Sequence, residues 1–172
     1  LFIVDEVQTG VGRTGTFYSY QQFGIQPDLV SSAKGLGGGL PIGAVLFGEK
    51  TQDTLIPGDH GSTFGGNPVV CAGAVEVLNR MDDTFLQNVT AKGRHMREEI
   101  EKMPHVTSVA GMGMMLGIEL DIDVKPVVTA LMENGLLVLT AKHKMRLLPP
   151  LNIAQTELEK GLSILKNTLA AL

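Results

Sequence analysis

Several features that define large classes of protein are absent from this 172-residue sequence. Cys71 is the only cysteine, so no disulfide can form within the chain, and its apolar surroundings indicate a buried structural thiol. Lysine and arginine form no cluster and the formal net charge is −4, which argues against nucleic acids and anionic membranes as partners. No apolar run reaches the length of about eighteen residues that a membrane span needs, and no charged-then-apolar leader opens the chain. We therefore expect a cytoplasmic protein that binds small soluble ligands.

The sequence also lacks an initiator methionine and begins inside an apolar run, Leu1–Val4. Such a run is typical of a central parallel strand that is covered on both faces. Because a native domain seldom begins in the middle of a strand, we expect the sequence to be part of a longer protein. The run ends in Asp5, Glu6, Val7 and Gln8, and open α/β sheets place ligand-binding groups at the carboxyl ends of their strands.

A glycine-rich loop, residues 9–15, follows the first strand. We expect its glycines to shape turns, because no strand, loop and helix with a suitably placed lysine completes a phosphate-binding motif. A second strand is predicted at Leu29–Ser32 and a third at Ile42–Phe47. The first two strands would bring Asp5 and Lys34 to one edge of one sheet.

Lys34 is the only charged residue between Leu29 and Gly48, and five glycines follow it up to Gly43. An ammonium group in a buried or half-buried site is costly to desolvate, so this site would favour the free amine, which is a nucleophile. The glycines leave room for a flat or phosphorylated ligand to approach the backbone. The same pattern also fits a lysine that extends from the end of a strand into water.

Asn67 and Pro68 together predict the start of a helix, since asparagine caps helices and proline is favoured at the first helical position. The spacing of Cys71, Val75 and Leu78 predicts that these three residues form the buried face of that helix. Ser62 and Thr63 precede it, and two hydroxyls at a helix N-terminus suit an anion, although a capped turn without any ligand explains them equally well.

The character of the sequence changes near Met81 and predicts a small α+β unit from there to the C-terminus. A polar helix capped by residues 82–84 comes first, with an apolar face made of Phe85, Val89, Met96, Ile100 and Met103. The remaining predicted segments are strands at 106–110, 114–120, 136–139 and 145–148, a helix from Pro126 to Gly135, and a last helix that begins with a Thr156–Glu159 capping box and buries Leu158, Leu162, Leu165 and Leu169. Arg146 interrupts an apolar run in this unit, so it either extends to water or presents its guanidinium to a carboxylate.

Four motifs resemble, in their order and spacing, the class III pyridoxal-phosphate aminotransferases: LFIVDEVQTGVGRTG, SSAKGLGGGLPIG, GSTFGGNP and MRLLPPLNI. The resemblance covers the whole chain and corresponds to roughly the C-terminal two-fifths of such an enzyme. It implies an α/β fold of the fold-type I class of these transferases. Residues 1–81 would be the end of the large cofactor-binding α/β domain, and residues 82–172 the small C-terminal α+β domain.

The resemblance also implies roles for individual residues, with pyridoxal 5′-phosphate as the cofactor and no metal ion. Lys34 matches the lysine that holds the cofactor as an internal Schiff base and later moves a proton. Asp5 matches the buried acid that pairs with the pyridinium nitrogen, Val7 would pack on the ring, and Gln8 would bind its phenolic oxygen. Ser62 and Thr63 match the phosphate contact that one subunit of the homodimer lends to its partner. Arg146 matches the arginine that binds the substrate α-carboxylate. Arg13 lies in a loop typical of the family, and we assign it a structural role.

The reaction implied moves the terminal amino group of N-acetylornithine to 2-oxoglutarate, a step of arginine biosynthesis. Ornithine, 4-aminobutyrate and succinylornithine are alternative amino donors, because the residues that distinguish them precede Leu1 in the family. The family's phosphate cup also precedes Leu1, so we expect this chain to be inactive by itself. Two other hypotheses are a nucleotide- or phosphate-binding module built on Gly35–Gly39 and a folded, dimerising remnant without ligand, since the open edge of the first strand could pair with another chain.

Overall fold

The computed structural model describes all of residues 1–172, whose contacts separate into two units, Leu1–Leu86 and Gln87–Leu172. The first unit contains three strands, two short 3₁₀ helices and one α-helix. The strands are β1 (Ile3–Asp5), β2 (Leu29–Ser32) and β3 (Ala44–Phe47), the 3₁₀ helices are Ser19–Phe23 and Lys34–Gly37, and the α-helix is α1 (Pro68–Arg80). Every helix of the chain is either too short or too polar to span a lipid bilayer.

The three strands of the first unit form one sheet in the order β1-β2-β3. β1 runs parallel to β2 and pairs Asp5 with Ser31, while β3 is antiparallel to β2. The prediction of β2 is confirmed, whereas β1 and β3 each begin two residues later than predicted. β1 is an edge strand with Ile3 61% exposed, so the expectation that this strand is covered on both faces is wrong for this chain.

α1 begins where the sequence predicts, because the Asn67 side chain accepts hydrogen bonds from the backbone N–H groups of Val69 (3.0 Å) and Val70 (3.3 Å). The predicted buried face of α1 is wrong. Val75 and Leu78 are 53% and 44% exposed, and Cys71 is only partly buried.

The buried side of α1 carries Ala74, with Val77 packed beside it, and these residues share a small core with Val11 and Leu36. Close approach selects this side: a Cβ atom added to Gly73 would lie 2.7 Å from the Leu40 side chain. α1 carries apolar residues on several sides. The close packing of its small residues therefore determines which side is buried more than the spacing of its apolar residues does.

The second unit packs three helices with a four-stranded antiparallel sheet in the order β4-β5-β7-β6. The elements are α2 (Asp83–Ile100), β4 (Val106–Met112), β5 (Met115–Leu120), α3 (Val124–Glu133), β6 (Leu139–Ala141), β7 (Lys144–Leu147) and α4 (Gln155–Ala170). As predicted, α2 buries Val89, Met96 and Ile100, and α4 buries Leu158, Leu162, Leu165 and Leu169.

Three predicted details of the second unit are wrong. α3 begins at Val124 and not at Pro126, because the Asp123 carboxylate accepts from the Lys125 N–H and proline fits the first turn. α4 begins one residue before Thr156 without a side-chain cap, and its Glu159 accepts hydrogen bonds from Gln155 and also pairs with a histidine of α2. The strand predicted at 136–139 pairs only from Leu139 onward.

Candidate functional site

Asp5 lies at the carboxyl end of β1, beside Ser31 of the parallel strand β2. Its Oδ1 accepts hydrogen bonds from the Val7 N–H and from the Ser31 hydroxyl, each at 2.9 Å, which leaves Oδ2 without a partner. The pKa of Asp5 lies below its ordinary value, chiefly because of the Val7 N–H, with further contributions from the Ser31 hydroxyl and the positive charge of Lys34. Asp5 is therefore a carboxylate at neutral pH with one oxygen open to a ligand, although it is exposed in this chain and not buried as expected.

Lys34 follows β2 by two residues and opens the 3₁₀ helix Lys34–Gly37. Its backbone is left-handed, with φ of 49°, which is uncommon for a residue other than glycine and concentrates at functional sites. The side chain is exposed, so the expectation of a buried or half-buried amine is wrong for this chain. The amine forms no ion pair or hydrogen bond, and it stands free at the same edge of the sheet as Asp5.

The glycine-rich loop between these two residues is packed rather than open. Val11 is 3% exposed and has a left-handed backbone with φ of 52°, and its side chain fills the space next to Gly35. Gly12 and Gly15 adopt positive φ and stabilise the loop through backbone hydrogen bonds. Arg13 is half-buried, and burial lowers the pKa of its guanidinium. The loop thus contacts the turn that carries the lysine.

Val7 and Gln8 continue the chain beyond Asp5. Val7 is partly buried, while Gln8 is exposed and its amide makes no hydrogen bond within the chain. Both are therefore free to contact a ligand at the same strand end.

Ser62 and Thr63 lie in an exposed segment that precedes α1. Their hydroxyls make no hydrogen bond to Asp5, Gln8 or Lys34, so the chain does not join them to the other predicted site residues. The first N–H groups of α1 are already satisfied by its asparagine cap, which removes part of the basis for an anion site there.

Arg146 lies in β7 of the second unit, between Gly117 of β5 and Leu139 of β6. Its Nε is buried without a hydrogen-bond partner, and no carboxylate of this chain pairs with the guanidinium. The residue lines a mostly apolar cleft of about 290 Å³ together with Pro149 and Pro150. An unpaired buried N–H is costly, so this arginine is suited to a carboxylate that enters the cleft.

The sequence analysis placed Glu6 at the end of the first strand but gave it no role of its own. Its carboxylate is fully buried and accepts hydrogen bonds from the Ser19 hydroxyl (2.6 Å), the Tyr20 N–H (2.9 Å) and the Thr9 hydroxyl (2.5 Å). Burial raises the pKa of Glu6, but these hydrogen bonds outweigh burial and hold the pKa below its ordinary value. The nearby hydroxyl of Thr9, three residues later, is the only local signal, since the partners at 19 and 20 become neighbours only on folding.

Comparison with known proteins places this geometry in a family. The family model described as Aminotransferase class-III matches residues 1–169. The acetylornithine aminotransferase of Haemophilus ducreyi is 52% identical over 172 residues, which are 99% of this chain and 44% of that protein. The enzyme of the same name from Listeria innocua is 47% identical over 98% of this chain and 46% of its own length.

Solved structures agree with these relatives. The acetylornithine aminotransferase from Elizabethkingia anophelis superposes with a TM-score of 0.90 at 36% identity, over 100% of this chain and 48% of that one. The ornithine aminotransferase from Toxoplasma gondii gives a TM-score of 0.90 at 36% identity, over 98% and 43%. The chain therefore spans less than half the length of the relatives it matches, and it belongs to the class-III aminotransferases.

Proposed function

We propose that the protein containing this chain is a pyridoxal-phosphate-dependent aminotransferase that moves the terminal amino group of N-acetylornithine to 2-oxoglutarate. The observation that carries the proposal is that Asp5 and Lys34 lie at one edge of the sheet. A carboxylate with an unoccupied oxygen ends β1 there, and a lysine without a salt bridge follows the parallel strand β2. The names of the curated relatives support the choice of N-acetylornithine as amino donor.

The residues present fit the cofactor. Asp5 keeps its negative charge at neutral pH and has Oδ2 available for the N–H of a pyridinium ring. Pyridoxal phosphate, when bound, supplies an electron sink that stabilises negative charge on the substrate carbon. In this proposal Val7 packs on the ring and the Gln8 amide binds its phenolic oxygen.

The chain's own groups then carry the remaining steps. The Lys34 amine, which forms no salt bridge in this chain, would move a proton from the amino-bearing carbon of the substrate to the carbon of the bound cofactor that receives the amino group. Arg146 binds the substrate α-carboxylate with its guanidinium, whose buried Nε lacks a partner. We further propose a cytoplasmic homodimer in which Ser62 and Thr63 of one subunit bind the phosphate of the partner's site.

The domain assignment is part of the same proposal. Residues 1–81 would complete a large cofactor-binding domain, and residues 82–172 would form the small domain. Because the chain spans less than half the length of its relatives, we propose that turnover needs the rest of that length.

The proposal is tested by mixing the purified chain with pyridoxal phosphate, reducing with borohydride and mapping the modified lysine by mass spectrometry. We expect a single adduct at Lys34, lost in Lys34→Ala and retained in Lys50→Ala, since Lys50 is an exposed lysine already paired with Asp28. Adducts spread over surface lysines would refute a preformed cofactor site in this chain. For the complete enzyme, an amino-donor screen that prefers 4-aminobutyrate to N-acetylornithine would refute the substrate.

A further inference from the structure

The buried carboxylate of Glu6 sits between two exposed residues of the candidate site. Asp5 before it and Gln8 after it face solvent, whereas the Glu6 side chain is fully buried on the opposite side of the chain. A buried carboxylate is stable only when its lone pairs are satisfied, and here both oxygens are used: Oε1 by Ser19 and Tyr20, and Oε2 by Thr9. The proposed reaction gives this residue no chemical role, yet it carries more hydrogen bonds than any other carboxylate in the unit.

The backbone of Glu6 also forms the middle of the turn that orients the Asp5 side chain. The hydrogen bond from the Val7 N–H to Asp5 Oδ1 spans Glu6, so it forms only if the backbone at Glu6 bends toward Asp5. The Gly10 N–H donates to the Glu6 carbonyl at 2.9 Å, and a Cβ atom at Gly10 would lie 2.7 Å from that oxygen. The side chain and the backbone of Glu6 are therefore both hydrogen-bonded to the segment that follows this residue.

We propose that Glu6 is a positioning residue, whose buried carboxylate, tied to Thr9, Ser19 and Tyr20, holds the turn in which the Val7 N–H donates to Asp5. This inference rests on the proposed function, in which Asp5 is the carboxylate that faces the cofactor. Glu6 itself touches neither cofactor nor substrate. It fixes which oxygen of Asp5 is occupied and leaves Oδ2 open.

Removal of the Glu6 charge has two effects on the pKa of Asp5. Their signs are opposite, which makes the inference testable. Glu6 and Asp5 are both negative, so loss of the Glu6 charge alone makes ionisation of Asp5 easier and lowers the pKa of Asp5. Loss of the turn removes the Val7 hydrogen bond, the main cause of the low pKa of Asp5, and raises it. The other groups that act on Asp5, the Ser31 hydroxyl and the charge of Lys34, are unchanged by the substitution.

The experiment follows the Asp5 carboxyl carbon by NMR through an acid titration of the 172-residue chain. We expect Glu6→Gln to raise the pKa of Asp5 toward its ordinary value. Ser19→Ala, which keeps the Glu6 charge and removes one donor, raises it as well, and Ser19→Thr, which restores a hydroxyl, returns it to the parent value. Glu49→Gln serves as the control, because it removes an exposed carboxylate that has no hydrogen-bond partner.

A lower pKa of Asp5 in Glu6→Gln, or an unchanged pKa in Ser19→Ala, would overturn the inference. Ser19→Ala keeps it testable if Glu6→Gln does not fold. Adduct formation at Lys34 with pyridoxal phosphate is measured on the same samples. A parent adduct at Lys34 combined with an unchanged pKa in Ser19→Ala refutes the role of Glu6 and leaves the proposed function standing. Absence of the parent adduct refutes a preformed cofactor site in this chain, and the pKa of Asp5 still decides the role of Glu6.

Discussion

Val11 combines two properties that oppose each other, and their balance can be measured. It is buried in the small core of the first unit, yet its β-branched side chain is attached to a left-handed backbone with φ of 52°. Left-handed geometry costs an L-residue roughly 1–2 kcal/mol relative to glycine, because Cβ crowds the backbone. We therefore predict an unusual order of stability for the substitutions Val11→Ala and Val11→Gly.

The magnitudes follow from burial and backbone. Val11→Ala removes two buried methyl groups, at about 0.8 kcal/mol each, so it destabilises the unit by about 1.5 kcal/mol before any cavity is counted. Glycine in place of alanine normally costs a further 0.5–1 kcal/mol or so. At Val11 the relief of left-handed strain offsets this loss, so Val11→Gly should be as stable as Val11→Ala or more stable by up to about 1 kcal/mol.

Urea unfolding followed by tyrosine fluorescence measures this difference. The chain has only two tyrosines and no tryptophan, and both tyrosines, Tyr18 and Tyr20, belong to the first unit, so the signal reports on that unit. Val30 provides the matched control, since it is a buried valine of β2 without positive φ. There glycine should be less stable than alanine by the usual 0.5–1 kcal/mol or so. The same order at Val11 as at Val30 would refute strain at Val11.

Three further predictions concern the close contact at Gly93, the left-handed backbone of Lys34 and the pH dependence of stability that Glu6 causes. Gly93→Ala would press Cβ against the carbonyl oxygen of Gly113 and should destabilise the second unit by about 1–3 kcal/mol in urea unfolding. Gly161→Ala makes only ordinary contacts and should stabilise the unit by up to about 1 kcal/mol, so stabilisation by both substitutions would contradict the packing. Lys34→Gly should stabilise the first unit by roughly 1 kcal/mol and abolish the cofactor adduct, and a loss of stability would count against the left-handed geometry. The pKa of Glu6 in the folded chain lies below its ordinary 4.5, so its contribution to the free energy of unfolding is complete above pH 4.5 and is lost as the pH falls through the folded pKa. Tyrosine-monitored unfolding should show that Glu6→Gln removes this loss of stability in acid, and the same loss in both chains would refute the prediction.

Local chemical signals predicted several parts of this fold. The strand Leu29–Ser32, the asparagine cap at Asn67 and the leucine-lined face of α4 all match the structure. Each depends on residues within one element, where propensity, capping and apolar spacing indicate the same answer. The shared edge for Asp5 and Lys34 was also predictable, because it requires only that two neighbouring strands run parallel.

Errors arose where neighbours distant in sequence decide the outcome. The buried face of α1 depends on the fit of Gly73 against Leu40, which apolar spacing does not encode. The burial of Glu6 depends on partners thirteen and fourteen residues away. The sequence analysis assigned a role to Asp5 alone, and only the folded loop shows that the neighbouring Glu6 is buried while Asp5 is exposed.

Hydrogen bonds inside the first unit set the geometry of the candidate site, although the unit leaves apolar strands exposed. All four residues of β3 are exposed, whereas Leu116, Leu131 and Leu165 of the second unit are almost completely buried. The Asp5 turn nevertheless forms through Val7 and Ser31, and the left-handed backbone of Lys34 follows directly from the end of β2. Backbone and side-chain contacts within the first unit fix the positions of Asp5 and Lys34, so covering the exposed strands would change the solvation of these residues more than their backbone positions. The solvation of a charged group controls its reactivity. The chain therefore positions Asp5 and Lys34 but leaves both without the burial that would change their reactivity.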